Sequence, residues 1–90
     1  MSTKPIRSHL FRGHRWRIHD YTELPPNDLG EVRYWCKKVF IPTEGELLGD
    51  LDIIIHEGLH VCTELEEDAV DETATSIARL LWRLGWRKEL

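Results

Sequence analysis

Residues 56–60 read His56-Glu57-Gly58-Leu59-His60, an H-E-x-x-H word inside an apolar run with helical spacing. On a helix, positions i and i+4 share a face about one turn apart, so both imidazoles can reach a single metal ion. Glu57, next to the first histidine, is placed to take a proton from a metal-bound water. The chain carries five histidines, so the word can arise by chance and its surroundings must decide it. Two histidines are also too few, because a catalytic zinc commonly has three protein ligands and an open water position.

The third ligand is sought downstream. A histidine six positions after the second, beyond a glycine turn, would mark a metzincin. Here Thr63 stands at the glycine and Glu66 at the ligand position, so that pattern is absent. Glu67-Asp68-Ala69-Val70-Asp71 instead supplies Glu-x-x-x-Asp at the start of a second predicted helix. Glu66 and Glu64 compete with Glu67 for the ligand role; a cap would engage Glu66, and Glu64 lies early in the turn.

The pairing of H-E-x-x-H with a later Glu-x-x-x-Asp resembles the gluzincin branch of zinc metallopeptidases. The resemblance implies that His56, His60 and Glu67 bind zinc. It makes Glu57 the general base of peptide-bond hydrolysis and Asp71 the residue that orients a ligand histidine, a role that metal chemistry calls for. The run Ile77-Ala78-Arg79-Leu80-Leu81-Trp82-Arg83-Leu84-Gly85-Trp86 is similar to short zincin-like bacteriophage proteins, which implies a host-cytoplasmic setting. Two features depart from larger gluzincins. Only six residues separate His60 from Glu67, and no Tyr or His follows Asp71 to stabilise an oxyanion. Tyr21, Tyr34, His14 and His19 remain candidates for that task.

Elements must bring these residues together. Arg15-Trp16-Arg17-Ile18-His19 alternates as a half-buried strand does, and Leu24–Gly30 is dense in turn residues. Further extended segments are expected at Glu31–Cys36 and Lys37–Ile41, the strand ending at Ile41 forming an edge that could pair with an extended peptide substrate. Thr43-x-x-Glu46 reads as a capping box that starts a helix near Glu44 and runs to about Cys62. Leu47, Leu48, Leu51, Ile55, Gly58 and Cys62 form its core stripe, the histidines lie opposite, and Gly49 is either a weak spot in the helix or an opening for a close approach to the metal face. Thr63-x-x-Glu66 is a second capping box. Val70, Ala74, Ile77, Leu81 and Leu84 repeat along the next helix, Gly85 stops it, and Arg79, Arg83, Arg87 and Lys88 suit its carboxyl end. Trp82 and Trp86 read as core or lid. The expected fold is α+β, about three strands followed by two helices, in a single domain over 1–90 with a loose basic segment at 1–8.

The bulk composition narrows the function. With 41% hydrophobic and 31% charged residues, the chain is globular rather than disordered. No apolar run approaches the roughly 20 residues that cross a bilayer, and the amino terminus lacks a secretory apolar region, so a cytoplasmic protein with no membrane partner is expected. Cys36 and Cys62 read as buried thiols. The formal charge of −4 makes nucleic acid an unlikely partner, although Trp16 among Arg12, His14, Arg15, Arg17 and His19 could touch phosphate and bases. The alternative to a peptidase keeps the zinc as a staple for a non-catalytic module that binds a host protein or nucleic acid.

Overall fold

The computed structural model describes residues 6–87, in which a four-stranded mixed sheet precedes two helices. The strands are β1 (Ser8–Phe11), β2 (His14–Asp20), β3 (Glu31–Arg33) and β4 (Lys38–Ile41), and the helices are α1 (Leu48–Cys62) and α2 (Glu67–Arg83). The α+β class is as expected, with one strand more.

That extra strand is β1. Part of the supposed loose segment, residues 1–5, lies outside the described residues, but Ser8 already pairs with Arg17 and the Arg7 carbonyl accepts from the Ile18 N–H. Arg12 and Gly13 join β1 to β2 with φ of +51° and +83°. Two successive left-handed residues are what a two-residue hairpin turn requires. A second correction concerns Glu31–Cys36. The chain is extended only to Arg33, reverses through Tyr34–Lys37 and returns antiparallel as β4.

The sheet order is β1-β2-β4-β3, with β2 and β4 parallel. The strand ending at Ile41 is therefore interior, not an edge. The edges are β1 and β3.

Trp16, Ile18 and Val39 form the buried centre of one sheet face, joined by Val32, Ile41 and, from α1, Val61. Helix α1 packs on β3 and β4, and α2 packs on α1. With the sheet on one side and a helix on the other, nearly every α1 residue is half-buried, so the helix has no single core stripe. Leu47 precedes the helix and is exposed. On α2 the fully buried residues are Val70, Ala74 and Ala78. The expected stripe turns from Ile77 to Ala78 because a close helix pair favours small side chains at its contact. Ile77 and Leu84 are exposed.

Local chemistry differs from expectation at both helix starts. The cap position of α1 is Leu47 rather than Thr43, whose N–H and hydroxyl donate to Asp20 Oδ1 at 3.0 and 2.7 Å. Asp50 Oδ2 instead accepts the N–H groups of Glu46 and Leu47, and α1 begins at Leu48. Burial opposes the charge on Asp20, but hydrogen bonds from Thr22 and Thr43 outweigh it and hold the pKa at about 2. Thr63 closes α1 through its N–H and hydroxyl, both donated to the Leu59 carbonyl, but does not cap α2. The cap position there is Glu66, without a side-chain hydrogen bond.

Gly85, at φ +91°, ends α2 as expected, and the Trp86 N–H returns to the Leu81 carbonyl. Lys88 lies outside the described residues. Trp82 is half-buried under the Arg87 guanidinium, 3.8 Å from its ring centre, whereas Trp86 is exposed; both line a cleft with Leu51 and Ile54 of α1. Both cysteines are free, and Cys36 is exposed rather than buried. Among the described residues no helix is long and apolar enough to cross a membrane.

Candidate metal centre

Helices α1 and α2 meet through two facing rows at i, i+4 spacing. Asp52, His56 and His60 project from α1; Glu67, Asp71 and Thr75 project from α2. His60 Nε2 lies 2.8 Å from Glu67 Oε2, and His56 Nε2 lies 2.9 Å from Glu67 Oε1. His56 Nδ1 is 3.0 Å from Asp71 Oδ1, and the Thr75 hydroxyl donates to Asp52 at 2.9 Å. The four-residue link 63–66 brings the second helix back along the first. Ala74 and Ala78 let the two approach closely enough for these short side chains to meet.

His56, His60 and Glu67 could hold a metal ion, their donor atoms all lying within 4.8 Å of one another. Among the described residues no fourth histidine, cysteine or acid joins them. With its Nδ1–H donated to Asp71, His56 turns Nε2 toward a Glu67 oxygen and, at 3.1 Å, the His60 Nε2. A metal ion among these atoms would meet a lone pair from each imidazole and from the carboxylate. Glu67 and Asp71 have side chains 62% and 59% exposed, so the centre opens to solvent on the α2 side.

Glu57 points the other way, toward the sheet, and among the described residues is the one buried charged residue. Its Oε1 remains 3.7 Å from His56 Nε2. Burial pushes its carboxyl above the ordinary value; His56 and His60 pull it down, and Glu67 and Glu31 push it up. Gly30 makes room for it. A Cβ there would stand 2.9 Å from Glu57 Cγ and 3.1 Å from Ile53 Cγ2, too close for either. Gly49, the position expected to admit a close approach, has no neighbour within 4 Å.

The last turn of α1, which carries His60, is anchored from the sheet. The Tyr34 hydroxyl donates to the His60 carbonyl at 2.7 Å, and Arg12 Nη1 donates to the Cys62 carbonyl at 3.1 Å. Both satisfy carbonyls that a helix end leaves without partners. Of the oxyanion candidates, Tyr34 is the one so tied to α1. Burial raises its hydroxyl pKa, and the Glu57 charge raises it further. His19 is engaged with Glu23 at 3.1 Å and Tyr21 begins a short 3-10 turn, both away from this end of α1.

The centre thus brings together Glu57, His56, His60, Glu67 and Asp71. Glu64 and Glu66 do not reach it. Sequence reasoning missed Gly30 and the Asp52–Thr75 bond. Continuing the i, i+4 rows one step from His56 and Asp71 would have found the latter. Trp16, the ring among the basic residues of β2, is 6% exposed and belongs to the core. No family model, curated protein or solved structure matches the chain, so this centre is read from its own residues.

Proposed function

We propose that the chain is a zinc-dependent metallopeptidase of gluzincin-like type, with His56, His60 and Glu67 holding the metal. The carrying observation is the convergence of two imidazole nitrogens and one carboxylate beside a buried glutamate, with Asp71 fixing the tautomer of one ligand. The donor set suits zinc. Zinc–ligand distances of about 2.0–2.2 Å correspond to donor separations of about 3.3–3.6 Å in a tetrahedron. The contacts here, 2.8–3.1 Å, fall about 0.2–0.5 Å short of that range, with each imidazole meeting a different oxygen of Glu67, so the donors would move apart slightly around the ion. Three protein ligands leave a position for substrate or water.

Bound zinc would supply a Lewis acid for the scissile carbonyl and lower the pKa of water at neutral pH. Glu57 Oε1 would take the proton of the attacking water and pass it to the departing amine. Its burial serves that role, since a carboxylate with a raised pKa is a stronger base. Asp71 holds His56 Nδ1–H and keeps Nε2 free to bind. An extended peptide would add along the β3 edge, whose preceding residue Gly30 touches Glu57.

The test is cleavage of casein or a peptide library by zinc-loaded protein, with Glu57→Gln as control. Cleavage that disappears in the variant while zinc is retained is the expected result. Full zinc occupancy with no cleavage in the wild type would leave the metal as a staple between the helices.

A further inference from the structure

We propose that the cleft beyond Tyr34 is a carboxylate-binding subsite, in which Arg12 and Lys37 seat an acidic side chain or the free carboxyl end of a peptide. The inference rests on the peptidase reading of the neighbouring centre and names its substrate class.

The placement follows from the topology. Because β2 and β4 are parallel neighbours, the turns that precede them, Arg12-Gly13 and Tyr34–Lys37, lie at the same end of the sheet. Helix α1 ends there too, held by Tyr34 and Arg12. Two clefts of about 470 Å³ open at this end. One reaches His60 and includes Glu64; the other is lined by Arg12, His14 and Lys37 over Trp16 and contains no acid. Arg12, Tyr34 and Val61 line both, so the two clefts adjoin, one touching the second metal-binding histidine and the other a pair of cations.

Charge fixes which of the two clefts takes the anion. Glu57, Glu64 and Glu67 would repel a carboxylate near the centre, so it belongs in the cleft lined by Arg12 and Lys37. Among the described residues neither cation has a carboxylate partner. Both also sit at φ +51°. A left-handed backbone favours glycine over residues of this kind. Two long cations therefore occupy positions that the backbone alone would give to glycine, and both face one cleft.

Zinc-loaded Glu57→Gln protein binds without cleaving, so fluorescence anisotropy with labelled peptides tests the subsite directly. The probes are an amidated peptide with one internal Asp, its Asn counterpart, and the Asn peptide with a free carboxyl end. At least one carboxylate-bearing probe should bind about tenfold tighter than the neutral one, as expected for a charge-assisted contact. The two acidic probes separate a side-chain carboxylate from a terminal one. The advantage should vanish in Arg12→Gly/Lys37→Gly, whose backbone suits these φ values, and in Arg12→Gln/Lys37→Gln, which keeps the side-chain bulk. Equal binding of all three probes, no binding of any, or an acid preference that survives both double variants overturns the proposal. So does single-stranded DNA displacing the acidic peptide at comparable concentration. Failure of the peptidase reading would appear separately, as wild-type protein that prefers acidic peptides and cleaves none.

Discussion

Replacing Gly30 by alanine adds one methyl group against the buried Glu57 side chain. The new Cβ would lie 2.9 Å from Glu57 Cγ, 3.1 Å from Ile53 Cγ2 and 3.2 Å from Glu57 Cδ. Neither neighbour can yield cheaply. Glu57 is 8% exposed, and both residues belong to α1, which is held between the sheet and α2. Overpacking of this kind costs about 1–3 kcal/mol. At about 4–8 °C per kcal/mol for a domain of this size, the melting temperature should fall by roughly 4–24 °C. Displacing the carboxylate by several tenths of an ångström should also lower turnover, up to about 100-fold for a shift near 1 Å. Gly58→Ala is the control, since Gly58 sits in the same helix with no neighbour within 4 Å of an added Cβ. It should raise stability by about 0.5–1 kcal/mol, because alanine is the better helix former. Thermal melts of both variants decide the matter. A Gly30→Ala protein as stable and as active as wild type would refute the close approach of the loop to Glu57.

Three further outcomes follow from the same geometry. Asp20, with its folded pKa lowered from 3.8 to about 2, contributes stability that is present above about pH 4 and lost as pH falls toward 2. After allowance for solvent screening that contribution is about 1 kcal/mol. Urea melts should therefore separate wild type from Asp20→Asn at pH 5 and bring them together near pH 2, and an equal gap at both would contradict the assignment. Asp71→Asn should weaken zinc binding about 10- to 100-fold in competition with a chromophoric chelator, because the His56 tautomer loses its anchor; unchanged affinity would remove Asp71 from the centre. Ala74→Leu should cost about 1–3 kcal/mol by forcing the helices apart and weaken zinc binding with it. Full affinity in that variant would show that the centre does not depend on close helix contact.

The parts legible in the sequence are those governed by helical arithmetic. His56 and His60 at i, i+4, Glu67 and Asp71 at i, i+4, and a link too short for anything but a reversal left these residues little choice but to meet. The end of α1 at Cys62 and the stop at Gly85 were legible for the same local reasons. What escaped depends on pairings remote in sequence. Neither the interior position of β4 nor the pairing of β1 with β2 is written in the alternation of any one strand. Gly30 looked like one more turn residue in Leu24–Gly30, and only the folded chain sets it against Glu57. The two threonine boxes misled because each helix begins further on, with its cap position at Leu47 or Glu66; Thr43 instead donates to Asp20, and Thr63 donates to the Leu59 carbonyl and accepts from the Leu65 N–H. A capping pattern states what a threonine can do, while the fold decides where the helix starts.

The central claim, that His56, His60 and Glu67 hold one zinc, is tested most directly by elemental analysis of untagged protein and its single variants. About one zinc per chain is expected in the wild type, lost in His56→Ala and Glu67→Gln and retained in Glu64→Gln and Glu66→Gln. Zinc that is absent from the wild type, or that persists in Glu67→Gln and disappears in Glu66→Gln, would contradict the account.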